Sequence, residues 1–285
     1  MSNNRIKEPL LWAMGFLIIL TSWWVLSETK YKQTGIIPTP ISTLRIIGEE
    51  MQKESFSKAI ISTLKRSFTS FFISFFIATV LAILAHFKKA VGYLLNPFIV
   101  LCRTMPTMAL ILILLLAVRS DMLPTIVAFL VVFPLCFENM RAAIAETDQE
   151  LIVMAKLFKV PRWRQITRIY IPAMTPFAFS SIIAGFGLNI KVVISAEVMG
   201  LPTMSIGYLI LSARQGFNFE VSFAWLVIAV ALCLICECVL RLIRRLCMPY
   251  KYPESRLIKK FIASLFSGRK AEGRGENECI FQRIP

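Results

Sequence analysis

The chain has 285 residues, of which 56% are hydrophobic and 17% charged, with a mean hydropathy of +0.67. A soluble domain is roughly 45–50% apolar, and here the excess sits in blocks near the length that crosses hydrocarbon, roughly 20 residues each, so the composition argues against an ordinary soluble domain. A net charge of +15 would suit a nucleic-acid binder, but no recognition module accompanies it, and the basic residues gather between the apolar blocks as the positive-inside bias of membrane proteins predicts.

The first block, residues 10–27, follows a polar start with Arg5 and Lys7. It runs through Trp23 and Trp24 without a small-residue cleavage site and reads as a retained span, not a signal peptide. Pro38 and Pro40 then punctuate a turn-rich loop, and a mixed-charge helical stretch covers residues 43–65. The second block is 67–87, closed by Lys88-Lys89. The third, 91–118, is long for one span and is interrupted by Arg103 and Pro106; a proline there kinks a helix or marks a hand-over between two segments. The fourth, 123–137, has Pro124 where a helix starts well. The fifth is 177–198 and the sixth 221–240.

Six spans place both termini on one side. With those termini cytoplasmic, the inner segments carry twenty-one Lys and Arg against nine outside, the expected bias. The organisation reads as an N-terminus and first span (1–36), a core of five spans with a long connecting loop (37–245, the loop at 139–175) and a basic cytoplasmic tail (246–285). A short interfacial helix is expected near 257–266, with disorder after it. Cys233-x-x-Cys236-x-Cys238 lies in an apolar helical block without a histidine nearby, so these thiols read as small hydrophobes rather than a metal or redox cluster.

The segment 146–172 is the most informative. Thr147-x-x-Glu150 has the form of a capping box and opens a helix. Leu151, Met154, Ala155 and Phe158 recur at helical spacing as one apolar stripe, with Lys156 and Lys159 elsewhere. The helix should end near Val160, because Pro161 cannot continue it but can begin the next. A second amphipathic piece runs over 162–171, and Pro172 closes it. Such paired helices at a membrane surface either lie in the headgroups or dock in a partner's groove.

This stretch resembles the coupling loop of the permease subunits of bacterial binding-protein-dependent ABC importers. Val153-Met154-Ala155 falls on the family's E-A-A, Lys159 on its glycine and Ile171-Pro172 on its closing L-P. The acidic residue and the glycine are therefore replaced. Asn96-Pro97, Arg103-Thr-Met-Pro106, Trp163, the run from Lys191 through Glu197 to Gly200, and Gly207-Tyr-Leu-Ile210 are similar to the nitrate/sulfonate/taurine-type subgroup.

The resemblance implies an all-α membrane protein: a six-span type I ABC importer transmembrane domain with cytoplasmic coupling helices, in the bacterial plasma membrane. It implies a permease homodimer, cytoplasmic ABC ATPase subunits that bind ATP and Mg, and an extracytoplasmic substrate-binding protein. The coupling residues would be Glu150, Leu151, Val153, Met154, Ala155, Phe158, Lys159, Pro161, Arg162 and Trp163. The solute would be a small anion such as a sulfonate, taurine or nitrate. The chain has no G-x-x-x-x-G-K-[ST] phosphate loop and no nucleophile–base constellation, so neither ATP hydrolysis nor another enzymatic activity is expected of it. Lys159 cannot adopt positive φ cheaply, so either the turn is built differently or the partner's groove has adapted.

Arg103, Lys191 and Glu197 are ionisable residues within or at the ends of spans. Such residues tend to face a cavity or a partner. Arg103 and Lys191 either line an anion path or serve structure, Arg103 by reaching the headgroups and Lys191 by pairing with another helix. Glu197 falls near the outer end, where a path, headgroup or binding-protein contact is expected. The lone His86 reads as an interfacial residue. A stand-alone secondary transporter or channel explains the spans equally well but not the paired amphipathic helices.

Overall fold

The computed structural model describes residues 4–29 and 37–247. The helix expected near 257–266 lies outside them. Eleven helices follow in chain order among the described residues: α1 (Asn4–Thr29), α2 (Pro40–Met51), α3 (Glu54–Phe87), α4 (Lys89–Thr104), α5 (Thr107–Ala117), α6 (Leu123–Ala145), α7 (Gln149–Leu157), α8 (Arg162–Gln165), α9 (Ile171–Gly200), α10 (Ile206–Gln215) and α11 (Phe219–Cys247). Packing divides the chain at Leu242, and the bundle is the unit that ends there.

Four segments are long and apolar enough to cross a membrane: α3, α6, the continuous stretch Arg162–Gly200, and α11. The expected third span is two helices. α4 and α5 meet at 104° across Met105 and Pro106 and become a fifth span only if counted together. Pro106 sits at the N-terminus of α5, where a missing N–H costs nothing. α1 carries the apolar stretch Leu17–Thr29, and Trp23 Nε1 donates to the Pro38 carbonyl at 3.1 Å.

α6 is the most enclosed of the four, lying between α3 and α9. The buried stripe of α3 explains how they approach. It is Ala59, Thr63, Ser67, Ser70, Ser74, Ala78 and Ala82, with Phe71 the one large member. Lipid tails are as apolar as leucine, so helices in membranes associate by close packing of small residues and by polar bridges. Both devices appear. Ser70 Oγ donates to Asn189 Oδ1 at 3.1 Å, Asn189 Nδ2 to the Ser67 carbonyl at 2.7 Å, and Asn139 Nδ2 to Ser181 Oγ at 3.1 Å. Each such bond contributes on the order of 0.6 kcal/mol. Phe71 fills the remaining space edge-on to Phe186 of α9, ring centroids 5.3 Å apart.

Pro172 does not end the second amphipathic piece, contrary to the reading from sequence. α8 passes through a π-helical turn at Ile166–Tyr170 straight into α9. In that turn the Ile171 N–H reaches back to the Ile166 carbonyl. The helix is widened by one residue just before Pro172, whose missing donor then falls in the first turn of α9, where none is needed. Pro176 is absorbed further along the same helix.

Candidate functional site

The α7 segment is capped one residue later than the sequence suggested. Asp148, not Thr147, is the N-cap, and its carboxylate accepts the Glu150 N–H at 2.9 Å. Thr147 is buried. A carboxylate at this position also complements the positive end of the helix.

The helix ends in a Schellman motif. The Val160 N–H donates to the Ala155 carbonyl at 2.9 Å and the Lys159 N–H to the Lys156 carbonyl at 3.0 Å, the paired closure that requires a left-handed residue at C′. That residue is Lys159, with φ 51°. The family's glycine position thus keeps its glycine-like backbone although the side chain is lysine, which answers the question left open by the sequence. An L-residue with a Cβ pays about 1 kcal/mol for this conformation.

The expected apolar stripe splits into two faces. Ala155 and Ile152, the latter not singled out from sequence, are buried, and Ile152 belongs to the main core cluster of the bundle. Leu151, Val153 and Met154 are about half exposed, and Leu157, Phe158 and Trp163 are 74%, 77% and 73% exposed. Glu150, Lys159, Pro161 and Arg162 are exposed around them. Contiguous exposed apolar side chains rimmed by charge mark a surface that meets a protein partner or the membrane. Behind α7 lies a cavity of about 420 Å³ lined by His86, Lys156, Arg162, Gln165 and Tyr170, among others. His86 Nε2 and the Tyr170 hydroxyl are 3.1 Å apart on its wall.

At the other end of α9, Glu197 is enclosed rather than open. It is fully buried. The Thr63 hydroxyl donates to it at 2.9 Å, Arg66 Nη1 at 3.1 Å and the Gly207 N–H at 3.3 Å. Thr63 in turn accepts the Ile206 N–H at 3.2 Å. The reason is backbone proximity. A Cβ on Gly207 would come within 2.5 Å of both Glu197 Cβ and the Val198 nitrogen, so α10 lies directly against α9 and encloses the carboxylate. A buried charge must be paired and hydrogen-bonded, and Glu197 is both.

Arg103 and Lys191 are exposed within the bundle. Arg103, at the end of α4 just before the bend, pairs with Glu138 of α6. Lys191 makes no salt bridge among the described residues. One helical turn before it, the Glu237 carboxylate of α11 lies over Gly187, where a Cβ would meet Oε1 at 2.6 Å. The sequence reading passed over Thr63, Arg66, Glu138 and Glu237. For Glu237 the signal was present, an acidic residue inside an apolar block.

Residues 58–246 match the family model described as binding-protein-dependent transport system inner membrane component. The chain is 24% identical to a putative aliphatic sulfonates transport permease protein SsuC of Bacillus subtilis, over 82% of this chain and 86% of that one. It is 23% identical to the bicarbonate transport system permease protein CmpB of Synechococcus elongatus, over 74% and 78%. Among solved structures, a chain of a bacterial alginate ABC transporter in complex with an alginate pentasaccharide-bound periplasmic protein shares the fold, with a TM-score of 0.57 at 17% identity over 84% of this chain and 95% of that one. A chain of the inward-facing MetNI methionine ABC transporter has the same TM-score at 16% identity, over 67% and 95%.

Proposed function

As a member of the family of binding-protein-dependent transport system inner membrane components, the chain is the membrane permease of an ABC importer, and we propose that it passes a small anion under the power of a separate ATPase that grips the α7–α8 segment. The observation that carries the coupling role is the exposed set of Leu157, Phe158 and Trp163 on the α7–α8 segment, whose Ile152 packs in the bundle core. Ile152 is the residue through which a push on that segment reaches the bundle core. ATP and Mg belong to the partner subunit.

The anionic class is supported by relatives named for sulfonate and bicarbonate transport and by Lys191, an exposed cation on the spanning helix α9. A charge facing hydrocarbon at mid-span costs about 2.5–3.5 kcal/mol. The exposed Arg103–Glu138 pair and Lys191 therefore favour a second copy of the chain or a watery path as their surroundings, which suits a homodimeric pore. The basic excess of the segments around α7 supports a cytoplasmic position for that side, and the external binding protein then delivers solute at the Glu197 end.

Proteoliposomes holding the chain with and without its ATPase and binding protein test this reading. Uptake of ethanesulfonate or bicarbonate should require ATP and both partners. Uptake driven by an ion gradient with the chain alone would overturn it.

A further inference from the structure

Beside the buried small-residue stripe of α3 runs a second stripe that carries charge. Ser62, Lys65, Arg66 and Thr69 follow the i, i+3, i+4, i+7 spacing that puts residues on a single face. Together with Thr125 of α6 they line a cavity of about 290 Å³ at the end of the bundle opposite α7. The two cations in it are not equivalent. Arg66 is 14% exposed, and its Nη1 is fixed to buried Glu197 at 3.1 Å. Its Nη2 lies 3.7 Å from Asp121, a loose contact to a carboxylate that is 64% exposed. Lys65 is exposed and has no salt bridge among the described residues. Thr69 spends its proton on the Lys65 carbonyl at 2.8 Å. The hydroxyls of Ser62 and Thr125 make no side-chain hydrogen bond among the described residues.

The cavity therefore presents a free ammonium, one half of a guanidinium held only weakly, and two uncommitted hydroxyl donors. These are the groups that hold an oxyanion. We propose that the cavity is a receiving site for a small oxyanion of the sulfonate or carboxylate class. The anion is bound by Lys65, Arg66, Ser62 and Thr125, and Asp121 is the exchanging carboxylate that covers Arg66 when the site is empty. Glu197 keeps the guanidinium in place throughout, so the anion displaces Asp121 and leaves the buried pair intact. The inference rests on the anionic-solute reading and adds to it the place where the anion is first held.

The test uses the full chain in phosphatidylcholine nanodiscs, titrated with ethanesulfonate and separately with bicarbonate at constant ionic strength, with the thermal midpoint as readout. At least one probe should raise the midpoint saturably. Lys65→Gln should weaken apparent binding about tenfold, the loss expected for one charged hydrogen bond. Thr125→Val should weaken it less, and Asp121→Asn should tighten it, a direction that a merely structural role does not produce. Lys65 and Asp121 are exposed, so their variants fold. The absence of a saturable response to either probe overturns the proposal, as does a response indifferent to both Lys65→Gln and Asp121→Asn. A midpoint shift that appears only with phosphatidylglycerol in the disc makes the cavity a lipid headgroup site and also overturns it. Uptake by the full transporter separates the two failures. If neither oxyanion is carried, the anionic reading falls; if one is carried equally by Lys65→Gln, only the receiving site falls.

Discussion

Arg66 and Glu197 form an ion pair 3.1 Å long between α3 and α9, with the carboxylate fully enclosed. Removing one partner of a buried pair strands the other charge and costs about 3–5 kcal/mol, whereas neutralising both costs far less. Arg66→Met should therefore unfold the bundle at a lower denaturant midpoint than wild type, and Arg66→Met/Glu197→Gln should recover much of the loss. A mixed-micelle denaturation series would show this. Equal midpoints for wild type and Arg66→Met would mean that the pair stabilises nothing.

The contact between Gly207 and α9 has no room for a side chain. Gly207→Ala must push α10 outward, at about 1–3 kcal/mol for overpacking. It should also lengthen the Gly207 bond to Glu197. Hydrogen exchange at the Gly207 amide is the measurement, and unchanged protection in the alanine variant would contradict the close packing.

Lys159 holds a left-handed turn at φ 51°. Lys159→Gly should stabilise the α7 terminus by about 1 kcal/mol, because glycine adopts this conformation without a Cβ penalty. Lys159→Val should destabilise it, since branching at Cβ makes positive φ a genuine outlier. Slower exchange of the Val160 amide in the glycine variant and faster exchange in the valine variant are expected. The reverse order counts against the turn.

Docking and anchoring residues on α7 should separate cleanly. Leu157→Asp and Phe158→Asp, at exposed positions, should leave the fold intact but cut ATP-driven uptake more than tenfold, as loss of interface hot spots of at least 2 kcal/mol would. Ile152→Asp, at a buried position, should instead lower expression and thermal stability. If the two classes behave alike, the exposed row is not a docking surface.

Lys191 is exposed on α9 without a salt bridge among the described residues. Lys191→Gln should reduce anion uptake about tenfold while Lys191→Arg retains most of it, since charge rather than shape favours the anion. Uptake by the glutamine variant at the wild-type rate would falsify the pathway role.

Block length and charge asymmetry made the membrane bundle legible from sequence, because both follow from the thickness and polarity of the bilayer and need no knowledge of neighbours. The α7–α8 segment was legible for a similar local reason: its periodicity, Pro161 and Lys159 are set within a few residues. What the sequence did not disclose was which side of each helix faces what. Ala155 joined the same apolar stripe as Phe158 until packing turned one inward and the other outward. Pro172 read as a stop until a π turn carried the chain past it. Glu197 read as an outer-end charge, because the residues that bury it, Thr63, Arg66 and Gly207, lie on other helices. Arg66 is 131 residues away in the chain. Spans and a pair of short amphipathic helices are local consequences of composition and spacing. The buried ion pair and the polar cavity beside it exist only where four helices and a loop converge, and that convergence the tertiary structure alone decided.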